Sequence, residues 1–188
     1  IEIWRKLSHC TLECNIIGLN PQQKYEVTKH LSVTPFRSVH RIPCMGYTFF
    51  EQKKKLIPEY QNASTQEIIR ARRQQKVIDS IIEKPLISIT GDTTHHVFAQ
   101  SPSILNSEVL VTEVTFFCDK ISPERAQHQG HMHIDDLIQY EEALSNTKIV
   151  IMHLSARYKT TDVEQIIHNK FSKDIRENII IIPNEMSI

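Results

Sequence analysis

Three residues able to bind a metal ion or move a proton follow directly on apolar, β-type runs. His40 follows Leu31–Val39, Asp92 follows Leu86–Thr90 and Gly91, and His153 follows Lys148–Met152. Neutral imidazole and carboxylate are both suitable zinc ligands, and open α/β sheets gather their chemistry in the loops just past the strand ends. Each residue also has an ordinary reading. A lone histidine after a strand is most often a surface or hydrogen-bonded group, and Gly-Asp is a common turn in which Asp accepts backbone N–H bonds. The recurrence at three strand ends is what singles them out. A further candidate is Gln129-Gly130-His131-Met132-His133. Gly130 permits a sharp turn there, and His131 and His133 titrate near neutrality, which suits either acid–base catalysis or metal binding. The bland alternative is a helix N-terminal turn with exposed histidines. His95-His96 are adjacent, so they point apart on either element and are read as structural. Lys53, Lys54, Lys55, Arg70, Arg72, Arg73 and Lys76 outnumber Glu59 and Glu67 between residues 53 and 76. That local excess suits a phosphate backbone or, equally, a solvated helix face.

The elements that must position these groups change character along the chain. Thr11–Leu19, Lys24–Thr28, Leu31–His40 and Met45–Phe50 read as antiparallel strands, with a turn at Asn20-Pro21. Ser64-Thr65-Gln66-Glu67 is a capping-box pattern. Ile68, Ile69, Val77, Ile78, Ile81 and Ile82 continue it at roughly helical spacing as far as Pro85, which predicts one helix across that span. From Leu86 the chain alternates. Leu86–Thr90, Glu108–Val114, Lys148–Met152 and Asn178–Ile182 read as strands, and Ile134–Leu144 and Thr161–Phe171 as helices. Strands first and a β-α-β series afterwards predict a layered α/β domain.

Composition sets the bounds. The chain has 188 residues, with 22 basic and 22 acidic side chains and no net charge. This balance excludes a uniformly basic nucleic-acid protein but not a local basic patch. With 40% hydrophobic and 23% charged residues, it is globular in composition. No apolar run approaches the roughly 20 residues of a membrane-spanning helix, and no secretory signal is visible. The four cysteines, Cys10, Cys14, Cys44 and Cys118, form no C-x-x-C pair and are read as buried free thiols of a reducing compartment. The chain begins at Ile1 without a methionine, which suggests a fragment.

Five motifs stand in order along the chain: His40-Arg41-Ile42-Pro43-Cys44-Met45-Gly46-Tyr47, Ile89-Thr90-Gly91-Asp92-Thr93, Thr112-Glu113-Val114-Thr115-Phe116, Gly130-His131-Met132-His133-Ile134 and His153-Leu154-Ser155-Ala156-Arg157-Tyr158. Together they resemble ribonuclease Z, the tRNA 3′-processing endonuclease family of the metallo-β-lactamase superfamily, in its short, plant-type form. The first resembles the family's His…Pro…Gly-Tyr segment. The second resembles its Ser/Thr-Gly-Asp-Thr motif, and the third its His-Glu-Ala-Thr-Phe motif, with Thr112 in place of the first His. The fourth is similar to a Gly-His-Thr-His variant, and the fifth to its His-x-Ser-x-Arg-Tyr ending. The resemblance implies a metallo-β-lactamase-like αβ/βα sandwich that removes the 3′ trailer of precursor tRNA with two zinc ions. It assigns His40, Asp92 and His153 to metal, His131 and Glu113 to catalysis, and Ser155 and Arg157 to the substrate phosphate. It also implies a homodimer and an intracellular setting, in cytoplasm, nucleus or an organelle, and no membrane partner is expected. Residues 53–84 fall where the family carries its tRNA-gripping arm, here basic, without glycine and with Pro58 alone before the closing segment.

The family's His-x-His-x-Asp-His string occurs nowhere in the chain. Residues 1–188 are therefore read as the C-terminal portion of one domain, binding zinc weakly and inactive by itself. A related small-substrate phosphodiesterase and a non-catalytic binding module of the same fold are the alternatives.

Overall fold

The computed structural model describes residues 15–118 and 120–183. The expected strand over Thr11–Leu19 falls partly outside these residues, and residues 15–20 have no regular structure. Cys10 and Cys14 also lie outside them. Seven strands form one sheet in sequence order: β1 (Tyr25–Thr28), β2 (Leu31–Arg37), β3 (Met45–Leu56), β4 (Asp79–Ile89), β5 (Val109–Glu113), β6 (Lys148–Met152) and β7 (Ile179–Ile181). The first four run antiparallel as a meander. From β4 onward the pairing is parallel. Parallel neighbours need crossovers. These contain α2 (His96–Gln100) with a 3₁₀ turn at Pro102–Asn106, then α3 (Pro123–Gln129) and α4 (Ile134–Ile138), then α5 (Thr160–Lys170) and α6 (Lys173–Arg176). The remaining helix, α1 (Thr65–Arg73), lies between β3 and β4.

The single helix expected from Ile68 to Ile82 is not formed. The capping box at Ser64 and Glu67 starts α1 as expected, but the helix ends at Arg73, and Gln75 takes a positive φ of 55°. Ile81 and Ile82 instead lie on β4, paired with Lys54 and Lys53. A hairpin partner supplies a backbone hydrogen-bond ladder that helical periodicity alone does not reveal. Pro85 sits within β4, where Phe49 pairs with Ile87 and Phe50 with Pro85. The extra residue, Leu86, is a bulge, a position that tolerates proline in a sheet. Regular α-helix over Ile134–Leu144 is likewise confined to Ile134–Ile138, with turns beyond.

The core lies on one face of the sheet. Leu110, Ile149 and Ile151 from β5 and β6 pack with Val97, Phe98, Ile104, Leu137, Val163, Ile167 and Ile175 from the crossover segments. The same face carries a buried polar chain: Thr48 Oγ1 lies 2.8 Å from Ser88 Oγ, which lies 2.7 Å from Ser107 Oγ. The opposite face carries a row in register across five strands, Tyr47–Ile89–Val111–Val150–Ile180. Tyr47, Ile89 and Ile180 in this row are exposed. Parallel sheets ordinarily have both faces covered, so an apolar row open to solvent is a distinctive feature of this chain. No described helix is long and apolar enough to cross a membrane.

Candidate active site

The parallel strands β4, β5 and β6 end side by side, and each delivers a functional group at its C-terminal end. Beyond β4, Gly91 turns the chain with φ +63° and presents Asp92. β5 ends on Glu113, and its neighbour Met152 is followed by His153. His153 itself has φ 60°, a left-handed conformation uncommon outside glycine, although histidine is among the residues that adopt it more readily. The loop after β2 is tied to the loop after β4: Ser38 Oγ donates to Thr90 O, Val39 N to Thr93 Oγ1 at 2.9 Å, and Thr94 N to Val39 O at 2.9 Å. These bonds bring His40 to the site. The His40 ring is fixed by Nδ1, which donates to Gly130 O at 2.8 Å.

Gly130 closes α3 as a left-handed C-cap, φ +85°, so that His131 leaves the helix toward β5. His131 Nδ1 donates to Glu113 Oε1 at 2.8 Å. Glu113 is 1% exposed and accepts three further bonds: Thr93 N at 2.7 Å on Oε1, and Thr115 Oγ1 at 2.6 Å and Met132 N at 3.4 Å on Oε2. The hydrogen bond to Glu113 holds His131 above the usual imidazole range; burial opposes it, the charges of Glu113 and Asp92 add to it, and Arg41 works against it. His131 stacks on His153 with ring centroids 5.3 Å apart and lies 4.9 Å from the ring of His40. His153 Nε2 is 3.7 Å from Asp92 Oδ2. His40, Asp92, Glu113, His131 and His153 thus form one contiguous cluster.

Within it, ligand atoms of Glu113, His131 and His153 lie within 4.8 Å of one another. The geometry separates their roles. Both oxygens of Glu113 are occupied by four donors, which leaves little capacity for a cation. Asp92, by contrast, keeps a side chain 40% exposed, and no described donor hydrogen-bonds to its carboxylate. His40 and His153 spend Nδ1 on neighbours, which leaves Nε2 of each available. Two imidazoles and an open carboxylate are a donor set that fits zinc.

Ser155 and Arg157 occupy the turn after β6. Ser155 is anchored by its backbone N–H to Thr115 O at 3.2 Å, and Arg157 is exposed. His133 is no part of the cluster. It is 1% exposed and caps α4, accepting from Asp135 N on Nδ1 at 3.2 Å, with Nε2 3.4 Å from Cys118 O. His95 is partly buried beside Asp136; burial keeps it below the usual imidazole range despite that carboxylate. The expectation that His95 and His96 point apart is not met: their ring centroids lie 4.2 Å apart. Cys44 and Cys118 are free thiols, half-buried where full burial was expected. Sequence reasoning did not single out Thr93, Thr115 or Arg41 beside the cluster. Threonines near strand ends are too common to stand out, and only their contacts mark them.

The chain is 34% identical over 168 residues to a protein named "tRNase Z TRZ1" from Arabidopsis thaliana, covering 88% of this chain and 60% of that protein. It is 30% identical over 175 residues to "tRNase Z TRZ2, chloroplastic" from the same organism, covering 92% of this chain and 49% of that protein. The chain therefore spans half to three-fifths of the length of these relatives. Among solved structures, the metallo-beta-lactamase fold protein YhfI from Bacillus subtilis superimposes with a TM-score of 0.55 at 15% identity, covering 97% of this chain and 58% of that chain. No protein-family model matches. The resemblance read from the five motifs is borne out: the chain is a relative of tRNase Z proteins over nearly all of its length, and its sheet and helices have the metallo-β-lactamase fold.

Proposed function

We propose that residues 1–188 are the C-terminal portion of a single metallo-β-lactamase-fold domain, and that the whole protein is a zinc-dependent endoribonuclease removing the 3′ trailer of precursor tRNA. The observation that carries this reading is the His131–Glu113 pair, seated beside Asp92 and His153 at the ends of adjacent parallel strands. His40 and His153 through Nε2, and Asp92 through its carboxylate, are the residues that would hold zinc. Bound zinc supplies an activated water and stabilises the charge developing on phosphorus. The chain's own side chains account for the remaining steps. Glu113, immobilised by four donors, keeps the His131 ring oriented and favours its protonated form. His131 then gives the proton on Nε2 to the leaving oxygen. Arg157 and Ser155 contact the substrate phosphate, for which a guanidinium is suited.

Three ligands do not complete two zinc shells, so the rest of the whole protein supplies the others. The open row Tyr47–Ile89–Val111–Val150–Ile180 is the surface on which the domain's other layer packs. By itself the chain binds zinc weakly and leaves RNA intact. Residues 53–84, the outer part of the β3–β4 hairpin with α1 at its tip, form a basic arm that holds the RNA backbone, and the whole protein is a homodimer. The test is cleavage of a precursor tRNA 3′ trailer by the full-length protein and its His153→Ala and His131→Ala variants. Loss of cleavage in both is expected; undiminished cleavage by His153→Ala overturns the assignment. Faster turnover of a chromogenic phosphodiester than of precursor tRNA would instead identify a small-substrate enzyme, and absence of bound zinc a non-catalytic module.

A further inference from the structure

Thr115 lies at the centre of the cluster, and its one hydroxyl meets more partners than it has protons. Its Oγ1 is 2.6 Å from Glu113 Oε2, 3.0 Å from His153 Nδ1, 3.1 Å from His153 O and 3.5 Å from His131 Nδ1. A hydroxyl carries one proton and two lone pairs. The contact to the carboxylate is the shortest and is charge-assisted, the strongest kind available to it. Placing the proton elsewhere would leave two oxygens facing each other at 2.6 Å with no hydrogen between them. The proton therefore belongs to the Glu113 contact, and His131 Nδ1, already bonded to Glu113 at 2.8 Å, makes no claim on Thr115. At 3.0 Å, His153 Nδ1 then has an acceptor in front of it and must carry the hydrogen. A neutral imidazole with its hydrogen on Nδ1 presents its lone pair at Nε2, the atom that faces Asp92.

Building on the proposed function, we propose that Thr115 is a positioning residue that fixes the tautomer of His153, so that Glu113 orients two functional histidines at once. Oε1 of Glu113 holds His131 directly. Oε2 holds His153 through the hydroxyl of Thr115. The carboxylate thus sets the nitrogen that protonates the leaving group and the nitrogen that binds metal, and neither histidine needs a carboxylate of its own.

The test compares Thr115→Val, which keeps the shape and removes the hydroxyl, with Thr115→Ser, which keeps the hydroxyl, in the full-length protein. Imidazole nitrogen shifts of His153, read by NMR on zinc-free protein, report the tautomer without any reference to RNA cleavage. The wild type and Thr115→Ser are expected to show the hydrogen on Nδ1, and Thr115→Val to move it to Nε2 or to a mixture. Zinc affinity, measured by competition with a chelator, should fall by about ten- to a hundred-fold in Thr115→Val and recover in Thr115→Ser. His153 carrying its hydrogen on Nε2 in the wild type overturns the proposal, as does wild-type zinc affinity in Thr115→Val. A zinc-binding protein with the expected tautomers but no activity on precursor tRNA would overturn the proposed function and leave the role of Thr115 standing.

Discussion

Replacing Gly130 by alanine tests whether the site is built on backbone geometry. Gly130 has φ +85°, and a Cβ placed on it would lie 2.7 Å from His40 Nδ1 and 2.9 Å from Arg41 N. Two effects add. Forcing an L-residue into the left-handed region costs about 1–2 kcal/mol. The new methyl also displaces the His40 ring from its bond to Gly130 O, which weakens the fold by about 0.5–1.5 kcal/mol. The sum is about 1.5–3.5 kcal/mol. For a chain of this size that lowers Tm by roughly 3–14 °C, measurable by circular dichroism. Gly130 O is also the group that orients His40, so zinc affinity in the full-length protein should fall by about ten-fold or more. Gly18→Ala is the control, because nothing lies within 4 Å of a Cβ there; it should change stability by less than about 0.5 kcal/mol. If Gly130→Ala melted like the control and bound zinc as tightly as the wild type, the placement of His40 against Gly130 would be wrong.

Phe98, 1% exposed in the core under the sheet, should destabilise the fold by about 3–5 kcal/mol on substitution by alanine, read as a lowered midpoint in denaturant. Replacing Lys53, Lys54 and Lys55 together with alanine should weaken precursor-tRNA binding and flatten its dependence on salt, by up to about 0.9 in log–log slope for each phosphate that these lysines neutralise; an unchanged slope removes the hairpin from RNA binding. At the root of that hairpin, Lys24, followed by Gln52 and Ser32, holds the Glu83 carboxyl below its ordinary range despite some burial. Because the folded-state value is depressed, this contribution is present above the unfolded pKa and disappears as pH falls through the folded one. Acid titration should therefore loosen the β3–β4 amides by hydrogen exchange in the wild type, and Glu83→Gln should show a smaller dependence over the same range.

Periodicity in the sequence determined the strand-then-alternation order, because apolar residues at period two or at strand length leave few other ways to bury them. Leu31–Arg37, Lys148–Met152 and the helix over Thr160–Lys170 all fall within a few residues of where the pattern puts them. The spacing of His40, Asp92 and His153 after such runs also pointed to one end of a sheet, because strand ends are where a rigid scaffold meets loops. What the sequence left undetermined was pairing. Ile68 to Ile82 has helical spacing, yet Ile81 and Ile82 belong to β4, because a distant partner, β3, offers a ladder that local propensity cannot anticipate. His131 and His133 are two residues apart and chemically identical. The family resemblance assigned the first to catalysis with Glu113, but local spacing does not separate it from the second; the left-handed turn at Gly130 places His131 against Glu113, and the α4 capping box buries His133. The division of Glu113 between His131 and Thr115 is likewise invisible in sequence, because it depends on which oxygen of one carboxylate lies within reach of which donor. Residue type and spacing set what chemistry was available, and tertiary packing, by setting the ends of adjacent parallel strands side by side, decided which atom each side chain presents to the cluster.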